Sequence, residues 1–225
     1  MALNYPQHFL PYALLFTFAF GNVGCAFSHK IQMVPQVSHI NVSQKLPASV
    51  ALLITPEVRN SVIRKRPSTF VGWAHVNEYP MGKALEEASL QAFSQVFERV
   101  TVVRNLEDAK ANYWILIEPV VEQFSYYHSM RWLWNVTYSK VRVRVALVSG
   151  ETKVWELSLN SPRQLGEAKT WFRRLVWDHD VNARKGESAS KALAFCLQEI
   201  AAQMVQDRRL REVIEKSRGV PPRVS

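Results

Sequence analysis

Several short stretches hold residue types able to do chemistry. Asp178-His179-Asp180 places three metal-ligand types in a row. Neighbouring residues point in different directions on any regular element, so the spacing favours a solvated turn over a metal site. Gly82-Lys83 opens a helical pattern in the manner of a phosphate cradle. Glu86 and Glu87 already complement that helix end, however, and the full phosphate-loop spacing is missing. Arg64-Lys65-Arg66, next to Pro67, reads as a solvated loop, with an anion site as the sharper alternative. Cys25 closes an apolar run and Cys196 lies in a helical stripe. The chain has no HExxH, paired CxxC, GxGxxG or GxSxG pattern. His75 and His128 fall in strand-like stretches without a ligand partner at metal spacing. The sequence therefore predicts no metal, no cofactor and no compact catalytic set, although a site assembled from distant residues stays open.

The elements around these residues begin with Phe9 to Phe20, FLPYALLFTFAF, an apolar run of signal-peptide length and too short to span a bilayer. Gly21 and Gly24 follow, then Cys25 and Ala26. This arrangement resembles the lipobox of bacterial lipoproteins, in which a small residue precedes a cysteine that is diacylated, cleaved at its amino group and acylated again. The chain departs from the pattern at Asn22, where the family usually has Leu, and in an n-region whose only basic candidate is His8. Two other readings stand beside it: a secretory peptide cut after Gly21, and an uncleaved anchor. The resemblance implies Cys25 as lipidation site and mature N-terminus. Ala26 in place of Asp implies an outer-membrane, periplasm-facing address.

The formal net charge is +9, and the leader holds no Lys, Arg, Asp or Glu, so all of that charge belongs to the remainder. For an exported chain the expected anions are lipid head groups, lipopolysaccharide phosphates or cell-wall polymers, not nucleic acid. An acylated Cys25 leaves Cys196 without a disulfide mate; a free one could pair with it in an oxidising compartment.

Residues 25–47 lack sustained periodicity and read as a lipidated end and flexible tether. Ser49 to Thr55 predicts a strand buried on both faces, and Thr69 to Val76 a second strand weakened by Gly72. Lys83 to Glu98 predicts a helix with Leu85, Ala88, Ser89, Ala92, Phe93, Val96 and Phe97 facing a sheet. Val100 to Val103 and Tyr113 to Val121 follow as strands. In Met130 to Val148 the even positions Met130, Trp132, Trp134, Val136 and Tyr138 are apolar before Lys140, Arg142 and Arg144, whereas the odd positions turn from polar to apolar at Val141. One straight strand cannot bury both sets. Either a bulge near Tyr138 to Val141 swaps the faces, or the run splits, or Trp132, Trp134 and Tyr138 project as a contact surface near Phe124, Tyr126, Tyr127 and His128. Thr152 to Leu159 completes a hairpin across Gly150-Glu151. Glu167 to Trp177 suits a short amphipathic helix. A last helix is expected from Glu187, after Gly186, through Arg208, Arg209 and Arg211 to Lys216, with a loose tail over 218–225.

VALLITPE, GKALEEASLQAFSQVFERV with VTVV, and MVQDRRLREVIEK resemble scaffold motifs of small bacterial outer-membrane lipoproteins with α+β domains, including accessory lipoproteins of export or assembly complexes. The expected architecture is one α+β domain over 48–217, a largely antiparallel sheet packed by two main α-helices, behind a signal peptide over 1–24. The expected function is a non-catalytic binding or assembly component held on the membrane by its lipid. Arg64, Lys65, Arg66, Arg208, Arg209 and Arg211 are its candidate anion contacts, and an envelope protein or anionic polymer its partner. A periplasmic enzyme with a dispersed site, acting on an envelope polymer, is the alternative; a third reading, a cytosolic or membrane-surface nucleic-acid binder, requires the N-terminal apolar run to be core.

Overall fold

The computed structural model describes residues 27–66, 75–131, 134–166 and 179–217, with side chains left out at 129–131, 134–136, 179–180 and 217. The leader with Cys25, Trp132, the helix expected over Glu167 to Trp177, Asp178 and the 218–225 tail lie outside the described residues, as does most of Thr69 to Val76.

Nine strands and five helices are described, and they form a single α+β domain. The strands are β1 (Phe27–Lys30), β2 (Leu46–Leu53), β3 (Ile63–Lys65), β4 (His75–Tyr79), β5 (Phe97–Val103), β6 (Ile115–Arg131), β7 (Trp134–Ser149), β8 (Thr152–Asn160) and β9 (Gln164–Leu165). The helices are α1 (Pro56–Arg59), α2 (Met81–Val96), α3 (Leu106–Asn112), α4 (His179–Gln206) and α5 (Arg208–Ser217). The main sheet runs β5-β2-β6-β7-β8, with β9 added to β7, and a three-stranded sheet runs β1-β4-β3. Pairings from β6 to β9 and between β3 and β4 are antiparallel; β2 with β5, β2 with β6, and β1 with β4 are parallel. Most of the paired length is thus antiparallel, and α2 and α4 are the two main covering helices.

The run at β2 is buried on both faces. Val50 and Leu52 enter the main core, whereas Ala51 joins Leu116 and Ala109 of α3 on the other side of the sheet. That is why the strand is a continuous apolar run and not an alternating one. On α2 the buried positions include Leu85, Ala88, Ser89, Ala92, Phe93 and Val96, the expected stripe; Phe97 is also buried but already belongs to β5.

Four expectations are corrected. The part of the expected tether that is described, 27–47, is not loose. After β1 it runs extended across α2 and α4 with Ile31, Met33 and Ile40 buried. Two glutamines of α2 clip it. Gln91 accepts from Val37 N at 3.0 Å and donates to Pro35 O at 3.2 Å. One turn on, Gln95 accepts from Ile40 N at 2.8 Å and donates to Ser38 O at 3.3 Å. Each side-chain amide replaces the neighbouring strand that this segment lacks.

Second, Arg64 and Lys65 are not in a loop, because β3 pairs with β4 in the register Ile63↔Tyr79, Arg64↔Glu78, Lys65↔Asn77. Third, the last long helix is described from His179, so His179 and Asp180 are helical and Gly186 lies inside the helix. A Cβ at Gly186 would sit 1.8 Å from Gln32 O, so the glycine admits the crossing segment and does not start the helix. Fourth, the helix does not continue to Lys216. It breaks at Asp207, whose Oδ1 accepts from Arg209 N at 2.9 Å and Leu210 N at 3.1 Å, capping α5. Asp207 Oδ2 accepts from Trp155 Nε1 at 3.0 Å, which ties that break to β8.

Candidate binding surface

The long run with two conflicting faces is split between two strands. Met130 and Arg131 end β6, and Trp134 begins β7 opposite Arg131. From Thr137 to Leu147 the odd positions of β7 face inward without interruption, and no bulge occurs near Tyr138 to Val141. The β6–β7 irregularity lies in β6, between Val121 and Gln123. Thr137 and Ser139 are therefore buried polar residues on an apolar face. Thr137 Oγ1 lies 3.0 Å from His128 Nδ1, and Ser139 Oγ lies 2.9 Å from Ser188 Oγ of α4. Each polar group is satisfied by a hydrogen bond instead of being turned outward.

Tyr138 consequently lies on the outer face. It stands opposite Tyr127 of β6 and, on its other side, opposite Leu165 of β9. The tyrosine rings stack with centroids 4.7 Å apart, and the Arg163 guanidinium lies 5.1 Å from the Tyr138 centroid. Tyr127 is 38% and Leu165 58% exposed, so three cross-strand neighbours form an apolar row in water. Beside it, Gln123, Ser125, Lys140, Arg142 and Asn160 line a shallow recess of about 400 Å³. Arg142 Nε donates to Asn160 Oδ1 at 2.7 Å, whereas Lys140 forms no ion pair with a described residue. Arg144, one step along the same face, is held by Glu122 and Glu156 at 2.9 and 2.8 Å. The surface thus joins stacked aromatics to an ammonium and a guanidinium, a chemistry suited to a partner with flat apolar groups and anions.

The aromatic residues named upstream divide by strand alternation. Phe124 and His128 are buried and Tyr126 is half-buried, so Tyr127 alone of the four joins Tyr138 outside. Trp132 is outside the described residues, and for Trp134 only the backbone position is described. The basic groups do not form one site. Arg64, paired with Glu78 at 3.0 Å, and Lys65 belong to the edge of the three-stranded sheet, with Arg66 exposed just beyond. Arg208, Arg209 and Arg211 are exposed on α5, which packs against β2 and β8. Arg208 pairs with Glu212 at 3.4 Å, and Arg211 Nε donates to Val205 O at 2.9 Å.

Beneath the sheet lies a polar layer that sequence reading missed. Lys185 Nζ donates to Asn77 Oδ1 at 3.0 Å and Asn182 Oδ1 at 3.1 Å. Tyr79, Tyr126 and His128 follow as a ladder of rings, with centroid spacings of 5.8 and 6.3 Å. Burial, with Lys185 and Arg184 nearby, pushes the His128 imidazole down to about 4, so it is neutral at pH 7. Burial also raises the Tyr79 and Tyr126 phenols well above their ordinary range. Only the neutral forms of these groups are available for chemistry at pH 7. Cys196 is a buried hydrophobe, as its stripe predicts. Its Sγ lies 3.4 Å from the carbonyls of Val141 and Leu159, and burial pushes its thiol up to about 12. His29 and His75 also meet, with Nε2 and Nδ1 2.8 Å apart, across the parallel β1–β4 pairing. The two histidines are 46 positions apart, which no local spacing could reveal. Among the described residues no cluster of three His, Cys, Asp or Glu could hold a metal. No described helix is long and apolar enough to cross a membrane.

No family model matches the chain, and no curated protein does. Among solved structures, the chain is similar to a Xanthomonas campestris protein of the DUF330 family at 9% identity and TM-score 0.46, over 85% of this chain and 99% of that one. It is also similar to a minor lipoprotein of Acinetobacter baumannii at 8% identity and TM-score 0.34, over 73% and 93% of the two chains. A third likeness is to a neuraminyllactose-binding hemagglutinin homolog of Helicobacter pylori, at 11% identity and TM-score 0.36, over 79% and 97%.

Proposed function

We propose that this chain is a lipid-anchored protein of the bacterial cell envelope, acylated at Cys25, facing the periplasm from the outer membrane and acting by binding instead of catalysis. The observation that carries the reading is the junction between leader and domain. An apolar run of export length, Phe9 to Phe20, is followed after four residues by Cys25, and the first described strand begins at Phe27. Such a chain is built to be held at a surface. The outer-face row of Tyr127, Tyr138 and Leu165, with Lys140, Arg142 and Arg163 beside it, supports a contact role toward an envelope protein or anionic polymer.

The test is fractionation of cells expressing the natural chain and Cys25→Ser. The natural chain is expected in the membrane fraction. The variant, denied its acyl chains, is expected to lose that association or remain unprocessed. A variant that stays membrane-bound and is processed to the same mass would refute the anchor.

A further inference from the structure

The three-stranded sheet has an orientation that links two features kept apart in sequence. β1 and β4 are parallel, with Phe27 opposite His75, so the chain enters the sheet at the His75 end. β3 is antiparallel to β4 and pairs Lys65 with Asn77, so it leaves toward that same end with Arg66 just beyond. The entry of the chain and the basic cluster thus meet at one end of one small sheet. Adjacent strands are about 4.8 Å apart, which puts β3 about 10 Å from β1. Cys25 is two residues ahead of Phe27, a reach of about 7 Å at full extension. Both lengths are close to the screening length of about 8 Å at physiological salt.

The chemistry at this end suits a charged membrane. Phe27 is 62% exposed and stacks on His75 at 5.8 Å, keeping an aromatic ring at the rim. Lys65 and Arg66 are exposed and form no ion pair with a described residue, and the nearest carboxylate along β4, Glu78, is engaged by Arg64 at 3.0 Å. The segment that follows β1 is clipped by Gln91 and Gln95, so the domain cannot drift from its anchor on a slack linker.

We propose that this end of the three-stranded sheet, formed by Phe27, Lys65 and Arg66, docks on anionic phospholipid head groups and fixes the orientation of the domain on its membrane. The inference rests on acylation of Cys25. It assigns the membrane to this sheet end and leaves the Tyr127–Tyr138 face, on the main sheet, for a partner.

The test is lysine footprinting by mass spectrometry. Full-length chain matured in cells is purified and reconstituted in phosphatidylglycerol-containing vesicles, in phosphatidylcholine vesicles and in detergent. Amine labelling of Lys65 is expected to slow by about fivefold on the anionic vesicles, the effect of one basic residue at such a surface, and to recover when salt is raised or when Arg66 is replaced, Arg66→Glu. Lys110 and Lys216, exposed on α3 and α5, should label equally in all three. Acyl mass on the Cys25 peptide, with Lys65 labelled equally fast in anionic vesicles and detergent, would overturn the docking surface alone. Absence of acyl mass would overturn the anchor, and with it the docking as proposed.

Discussion

Gly186→Ala separates two opposite expectations. Alanine in place of glycine inside a helix ordinarily adds about 1 kcal/mol of stability. Here the new methyl would lie 1.8 Å from Gln32 O and 3.2 Å from Ile31 Cγ2. The first neighbour is backbone, which no rotamer change can move aside. Accommodation requires the 31–40 segment to lift from α4, which strains or breaks the 3.0 Å bond from Val34 N to Ser190 Oγ. Overpacking costs about 1–3 kcal/mol, and a lost hydrogen bond about 1 more. After subtracting the helix gain, a net loss of about 1–3 kcal/mol is expected, or a melting temperature lower by about 2–12 °C for a domain of this size. Urea unfolding should report the loss as a lower midpoint at unchanged slope, and hydrogen exchange should accelerate over 31–40. A midpoint equal to or above that of the natural chain would refute the packing of this segment against α4.

Three further outcomes follow. The His128 imidazole is held near 4 in the fold against an ordinary 6.5, so the unfolded chain binds the proton more readily between those values. Stability should be intact above pH 6.5, fall by about 2–4 kcal/mol as the pH drops to 4, and lose no more from this group below; His128→Gln should flatten that part of a pH series of unfolding midpoints. Asp207→Ala removes the α5 cap and the Trp155 partner together, and should lower stability by about 1–2 kcal/mol, with faster exchange across 208–217. Cys196 should resist thiol reagents at pH 8 in the folded protein and react once denatured, since burial raises its thiol to about 12; rapid native labelling of Cys196 would contradict its place in the core.

What could be read from the sequence was what one element decides by itself. The apolar run of β2, the stripe on α2 and the hairpin at Gly150, whose φ of 63° suits glycine, each carry their period or turn chemistry locally. Features that depend on distant partners were not visible. The alternation of Ile31, Met33 and Pro35 becomes structure only through Gln91 and Gln95 on another element. Gly186 looks like a helix start until Gln32 is seen crossing it. Asp207 looks like a surface residue of one long helix until Trp155 reaches it. The surface was half legible: the conflict of faces before Val141 is in the sequence, yet the answer lies in buried partners for Thr137 and Ser139, supplied by His128 and Ser188. With those two inside, Tyr138 must face out, and Tyr127 and Leu165 join it by register alone.

The most direct test of the central claim is the mass of the N-terminal peptide of the mature protein purified from membranes. The account predicts a peptide beginning at Cys25 and carrying covalent acyl chains. An unmodified peptide beginning at Met1, or one cut after Gly21 with a free Cys25 thiol, would contradict it.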